Sequence, residues 1–321
     1  MHKLLLSILF LLGLAGCASK PFEPSSINDW QPKIVNNRQP DHSLFDPIEY
    51  YTVNRHFADF LPIVPTYNHQ GNLLASWNPQ PDGVKNHPTF VFVHGGHGIT
   101  GSDIGEAVWA RKELKANVLI LDSYWSRGIK ENFRTKTEYG ANMRALDSIA
   151  AGRFVLSQGV DTNSIFLMGD SQGGWTVLRT MTDEQFYIDN AKPIFAAGIA
   201  LYPNCQDGPG SLAPRLGPYH SPVLIFTGGK DTATPYYNCS SRVFDTARSW
   251  TNYPDATHGF DSIGKGGFKD PPVDHDGECH NAMNTAQNSS SPFVVCRSNS
   301  ATNDMHNKVK LLVRELTNYK L

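Results

Sequence analysis

Apolar residues in this chain follow two rhythms that take turns from residue 89 onward. Short, continuous, β-branched runs stand at 89–93 (TFVFV), 117–122 (NVLILD), 164–169 (SIFLMG), 194–202 (IFAAGIALY), 222–228 (PVLIFTG) and 249–254 (SWTNYP). Unbroken apolarity over such a length predicts strands buried on both faces. Between the runs, apolar positions recur every three or four residues, which predicts helices over 103–115, 137–158, 172–182, 235–249 and 303–319. The second of these carries Tyr139, Met143, Leu146, Ile149, Ala150, Phe154 and Val155 at helical spacing, and Asn303 is the expected N-cap of the last. Upstream, residues 59–78 alternate as short strands before the turn-forming NPQPDG. Strand–helix alternation predicts an α/β fold, a mostly parallel, doubly wound sheet flanked by helices. Ligands of such sheets sit beyond the carboxyl ends of the strands. The loops after Val93, Asp122, Gly169, Tyr202, Gly228 and Pro254 are therefore where chemistry is expected.

Two stretches break the rhythm. Residues 261–300, rich in Gly, Pro, Asn and Ser, read as a loop insertion between the last strand and the last helix. At the other end, a basic start (Lys3), a short apolar core and Leu14-Ala15-Gly16-Cys17 read as a signal peptide over 1–16, too short to span a bilayer as a mature helix. The sequence LAGC resembles the bacterial lipoprotein box. That resemblance implies a lipidated Cys17, anchorage to a membrane without spanning it, and residence in the bacterial cell envelope. Ala18 after the cysteine favours the outer membrane, facing the periplasm. Residues 17–45 then form a tether, and 46–321 the domain.

Composition narrows the classes. The chain has 321 residues, 40% hydrophobic and 18% charged, with a formal net charge of −2. Nothing in that balance makes a basic field for nucleic acid. Besides Cys17 there are four cysteines, an even number that suggests two disulfides in an exported protein. Three pairings are possible. A staple between Cys279 and Cys296 suits the long insertion, because an irregular excursion is costly to order. No C-x-x-C or C-x-x-H spacing points to a metal, and no cofactor is expected.

The chemistry-bearing motif is Gly169-Asp170-Ser171-Gln172-Gly173. It fits G-x-S-x-G and lies between an expected strand and an expected helix, the context the motif requires. A strand turning sharply into a helix raises the serine above the sheet, and glycines two residues to either side avoid a clash. A serine hydroxyl needs a base to take its proton. In the chain order Ser, acid, His, the acid is expected at Asp231, just past a strand end, with Asp207 and Asp255 as rivals. The base is expected at His258, the histidine that follows the last strand. Residues 93–98 (VHGGHG) follow the first central strand. Their glycines let the backbone approach a substrate, so the Gly96 amide, with His97 as alternate, joins the Gln172 amide as an oxyanion donor. His94 is expected to hold that loop rather than to react.

Together, HGG at 94–96, GDSQGG at 169–174, GGKDTATP at 228–235 and THGF at 257–260 resemble the α/β-hydrolase superfamily. LDSYWSRG at 121–128 and the His-Gly-Phe ending resemble its dienelactone hydrolase family, whose namesake enzymes use a cysteine where this chain has Ser171. The resemblance implies an α/β-hydrolase fold and a serine hydrolase acting on a small-molecule carboxylic ester. A peptidase or amidase of the same fold, or a catalytically idle envelope binding protein, is the alternative. It also motivates a Cys205–Cys239 disulfide, since the two should sit at one rim. Arg127 could grip an acidic substrate group or pair with Asp122. Trp125, Trp175 and Tyr202 are candidates to line an acyl pocket, or core residues. The oligomeric state is left open.

Overall fold

A computed structural model describes residues 59–62, 72–124, 141–182, 188–189, 192–205, 216–262, 276–283, 292–317 and 319. The leader, Cys17, the tether, Trp125, Arg127 and Asp207 lie outside these residues.

The elements run β1 (Asp59–Pro62), β2 (Asn72–Asn78), β3 (Thr89–Val93), α1 (Gly101–Glu113), β4 (Asn117–Asp122), α2 (Ala141–Ser157), β5 (Ile165–Asp170), α3 (Gln172–Thr182), a two-stranded ribbon of β6 (Ile188–Asp189) and β7 (Lys192–Pro193), β8 (Ala197–Leu201), β9 (Val223–Gly228), α4 (Ser241–Asp245), β10 (Ser249–Tyr253), β11 (Cys279–Met283), β12 (Pro292–Cys296) and α5 (Asn299–Thr317). Eight strands form one sheet in the order β1-β2-β4-β3-β5-β8-β9-β10. The pairings β1/β2 and β2/β4 are antiparallel, and every pairing from β4 to β10 is parallel. This is the doubly wound architecture that the alternation predicts.

The continuous apolar runs have the expected reason. β3, β4, β8 and β9 are buried along their whole length. Successive side chains serve opposite faces. Val91 and Val93 pack with Ile149, Phe154 and Val155 of α2 and with Val177 and Met181 of α3. Phe90 and Phe92 pack with Ile104 and Val108 of α1 and with Met305, Val309 and Leu312 of α5. Each face of the sheet thus has its own pair of helices, and both faces together fix the strand ends from which the site is built.

Three expectations are corrected. The helix over 235–249 shrinks to a single 3-10 turn at Tyr236–Asn238 and the short α4. Cys239 between them is extended (φ −82°, ψ 143°) and bonded to Cys205, which pins the segment to the rim. The 261–300 insertion is not all loop: β11 and β12 pair antiparallel, with Cys279 opposite Cys296 and bonded to it. Finally, α5 begins at Asn299, so Asn303 lies inside the helix. Ser298 precedes the helix, its carbonyl accepting from the Thr302 amide at 3.0 Å and its Oγ from the Ala301 amide at 3.4 Å. A serine there satisfies first-turn donors as an N-cap does.

Candidate active site

β5 ends and α3 begins within two residues, and Ser171 occupies the corner with φ of +51°. A serine rarely adopts that left-handed backbone, and such positions cluster at functional sites. The corner is held by the Ser171 amide donating to the Leu201 carbonyl (2.9 Å) and by the Trp175 amide donating to the Ser171 carbonyl (3.0 Å). The flanking glycines are steric necessities. A Cβ on Gly173 would lie 2.0 Å from the Val93 carbonyl oxygen, and one on Gly169 would lie 2.6 Å from Val93 Cγ2. Those distances let α3 run off the end of the sheet only if both positions lack a side chain.

Two further strand ends meet Ser171. His258 follows β10 and is buried, and its Nδ1 lies 2.8 Å from Asp231 Oδ2, just past β9. Asp231 is fixed by its own turn, Oδ1 accepting from the amides of Ala233 (2.8 Å) and Thr234 (2.9 Å). Burial alone would raise its pKa. The His258 charge and hydrogen bond, with the Thr234 donors, more than offset this and hold the carboxyl below the usual range. Asp255 is not placed for the same task, because it lies at the surface paired with Lys230 (2.7 Å). Thr234 is a residue that the sequence reading passed over. Its hydroxyl lies 2.8 Å from the Tyr202 carbonyl, 3.0 Å from Asp231 Oδ2 and 3.1 Å from His258 Nδ1, so it braces the pair. Its signal was present in the sequence as a hydroxyl three residues after the acid.

Ser171, His258 and Gly96 line one cavity of about 210 Å³, together with His97 and Tyr202. Tyr202 has φ of +32° and presents its ring edge-on to the His258 ring at 4.6 Å. Its hydroxyl donates to Asp261 Oδ1 at 2.7 Å. Burial first, then the Asp261 charge, keeps that phenol well above its ordinary range, so it stays a donor. Of the two roles open to Trp175, the core one fits its place: it is not among the residues lining this cavity but packs against the apolar cluster of α2 and α3. Gln172 opens α3, where a helix leaves its first amides without intrahelical acceptors. Its side chain is held away as Oε1 accepts from Tyr124 Oη at 2.6 Å.

His94 plays the holding part expected of it. Ser123 N–H donates to Nε2 (3.2 Å), so the ring hydrogen is on Nδ1, which donates to the Gly95 carbonyl (2.7 Å). Arg144 Nη2 donates to the His94 carbonyl. With both ring nitrogens engaged and no exposure, His94 is a fixed strut under the Gly95–Gly96 turn.

The hairpin of β11 and β12 supplies the remaining wall, which sequence reasoning did not find. Phe293 meets the His258 ring at right angles (5.1 Å between centroids), and Val295 makes a bridge to His258. The Cys296 amide donates to Thr257 Oγ1 at 2.8 Å. His280 lies on the same wall.

The fold has known counterparts. A protein assigned as a dienelactone hydrolase from Klebsiella pneumoniae superposes with a TM-score of 0.53 at 14% identity, covering 79% of this chain and 97% of its own. The chain has the α/β-hydrolase fold. Esterase 2 of Thermogutta terrifontis, solved as its paraoxon-phosphorylated form, gives a TM-score of 0.52 at 16% identity over 80% of this chain and 94% of that one. MGS-M1, an α/β hydrolase from a Medee basin deep-sea metagenome, gives 0.52 at 12% identity over 81% and 99%. No protein-family model matches the sequence, and curated proteins contain no significant relative.

Proposed function

We propose that the protein is a serine hydrolase of small carboxylic esters, with Ser171 as nucleophile, His258 as general base and Asp231 as its orienting acid. The observation that carries this reading is the convergence of three strand ends: a strained Ser171 elbow in the same cavity as His258, whose far nitrogen meets Asp231 at 2.8 Å. His258 Nε2 takes the Ser171 proton as Oγ attacks the ester carbonyl. Asp231 fixes the tautomer with hydrogen on Nδ1 and stabilises the imidazolium. The amides of Gly96 and Gln172 receive the oxyanion. His258 then protonates the leaving alcohol and draws a proton from water to release the acyl group.

The cavity favours small substrates. Its volume of about 210 Å³ is below the roughly 300–1,000 Å³ of pockets for drug-sized ligands. Esterase neighbours of the same fold support an ester substrate over an amide. Cys17, lipidated after loss of residues 1–16, would hold the enzyme on the envelope membrane, probed by the membrane fraction of a Cys17→Ser variant. The reading is tested with p-nitrophenyl acetate and a fluorophosphonate probe: turnover and labelling by the wild type, and neither by Ser171→Ala, are expected. A wild type that neither turns over nor labels rejects it.

A further inference from the structure

Asp170 precedes Ser171 and has no part in the mechanism above. It ends β5 and lines the cavity, yet its Oδ1 is cut off from water and finds no hydrogen-bond partner among the described residues. Its other oxygen lies against the oxyanion turn, since a Cβ built on Gly95 would fall 2.8 Å from Oδ2. The carboxyl of Asp103, in the first turn of α1, lies beside that of Asp170. Two buried carboxylates are both acceptors, so they share such a site only with one proton between them. The proton's place follows from the other partners. Asp103 Oδ2 accepts from the Thr100 amide (2.7 Å) and the Thr100 hydroxyl (2.8 Å), which stabilise a charge there. Asp170 has no comparable donors among the described residues. The charge belongs on Asp103 and the proton on Asp170.

The surroundings agree. Burial, followed by the Asp103 and Asp261 charges, pushes the Asp170 carboxyl well above the usual range, against a smaller opposing pull from Arg144 of α2. Burial also raises Asp103, with the Thr100 bonds opposing. Tyr202 and Asp261 close the far side. Beyond them, Arg297 Nη1 donates to the Asp261 carbonyl at 2.6 Å, and Glu106 faces His306 of α5 at 2.8 Å. His258 and His97 share the cavity.

We propose that Asp170, carrying the proton it shares with Asp103, is a positioning residue for the oxyanion site: it ties the Gly95–Gly96 turn and the start of α1 to the Ser171 elbow, and keeps negative charge off the side where the oxyanion develops. The proposal rests on Ser171 being the nucleophile. Loss of the proton sets two carboxylates against each other and places a charge beside the oxyanion. A neutral ester in its ground state feels this little, whereas the transition state feels it fully. So kcat, not KM, falls as pH rises through the Asp170 titration.

Two single-atom swaps separate this from a role in folding alone. Asp170→Asn keeps a donor toward Asp103 and leaves the charge in place. Asp103→Asn reverses the bond and moves the charge onto Asp170, beside the oxyanion. Expected for Asp170→Asn is a loss of kcat of no more than about tenfold and disappearance of the alkaline fall; for Asp103→Asn, a loss of about a hundredfold with KM little changed. Difference infrared spectra of wild type minus Asp170→Asn at neutral pH should show a protonated carboxyl band, whatever the catalytic rates. Absence of that band, equal losses in the two variants, or an alkaline fall persisting in Asp170→Asn overturns the proposal. If these occur in a wild type that hydrolyses esters, only the Asp170 proposal is lost. A wild type with no hydrolysis and no Ser171 labelling removes the functional reading, and the positioning role with it.

Discussion

The cavity has two walls of different origin. One is made of strand ends: Ser171 after β5, Gly96 after β3 and His258 after β10, with Asp231 after β9 backing His258. The other is the β11–β12 hairpin, outside the main sheet and stapled by Cys279–Cys296. The first wall is held by requirements that leave a mark in the local sequence, such as glycine at 169 and 173, where a Cβ would strike Val93, and the turn that closes on Asp231. The second is held by contacts that no local pattern announces: Val295 bridged to His258 and Cys296 bonded to Thr257. The strand-end wall should therefore set whether chemistry occurs, and the hairpin wall which ester is accepted.

Breaking the first wall gives the largest effects. His258→Ala and Asp231→Asn should each lower kcat/KM by about 10⁴- to 10⁶-fold. A loss under tenfold at either position, in a protein whose melting is unchanged, would put the chemistry elsewhere. Breaking the second should change selectivity rather than rate. Phe293→Ala removes the ring that faces His258 and is expected to improve bulkier esters relative to acetate by about tenfold. A chain-length series with the wild-type profile would show that Phe293 does not bound the substrate. The paired Cys279→Ser, Cys296→Ser variant comes next. It should cost about 3 kcal/mol of stability and raise KM more than it lowers kcat. Equal falls in both constants would mean that the hairpin supports the catalytic residues and not the substrate.

How much was legible follows the same division. The sheet could be read from its apolar runs because strands buried on both faces need continuous apolar sequence. Ser171, Asp231 and His258 could be placed because the elbow and strand-end turns demand particular residue types near them. Thr234 was missed because a threonine after an aspartate has many uses; only its approach to Tyr202, Asp231 and His258 gives it one. The hairpin was read as loop because β11 (CHNAM) has little β-branched or alternating character. Its pairing depends on the disulfide and on the body it packs against. Trp175 could be read as a pocket or a core residue, and one turn of helix carries it from Ser171 onto the core. The short α4 shows propensity yielding to a covalent tie at Cys239.

The smallest expected effect concerns the acid cluster beneath the strand-end wall. Burial, with the nearby Glu106 charge, raises the Asp261 carboxyl to about 6. A buried acid with a raised folded value binds its proton more tightly in the folded state, so stability is lost as pH rises from about 4 through about 6. Urea midpoints of the wild type should fall across this window, and those of Asp261→Asn should fall less. Parallel curves would mean that Asp261 is ionised in the folded protein at all these pH values.

The central claim is that Ser171 is an activated nucleophile, and one covalent measurement reaches it directly. Native protein is incubated with paraoxon, its intact mass recorded and the modified peptide sequenced. The account predicts one diethylphosphoryl adduct, on Ser171, formed by the wild type and abolished in His258→Ala and in heat-denatured protein. An unmodified wild type, or an adduct on another residue that persists in Ser171→Ala, would contradict it.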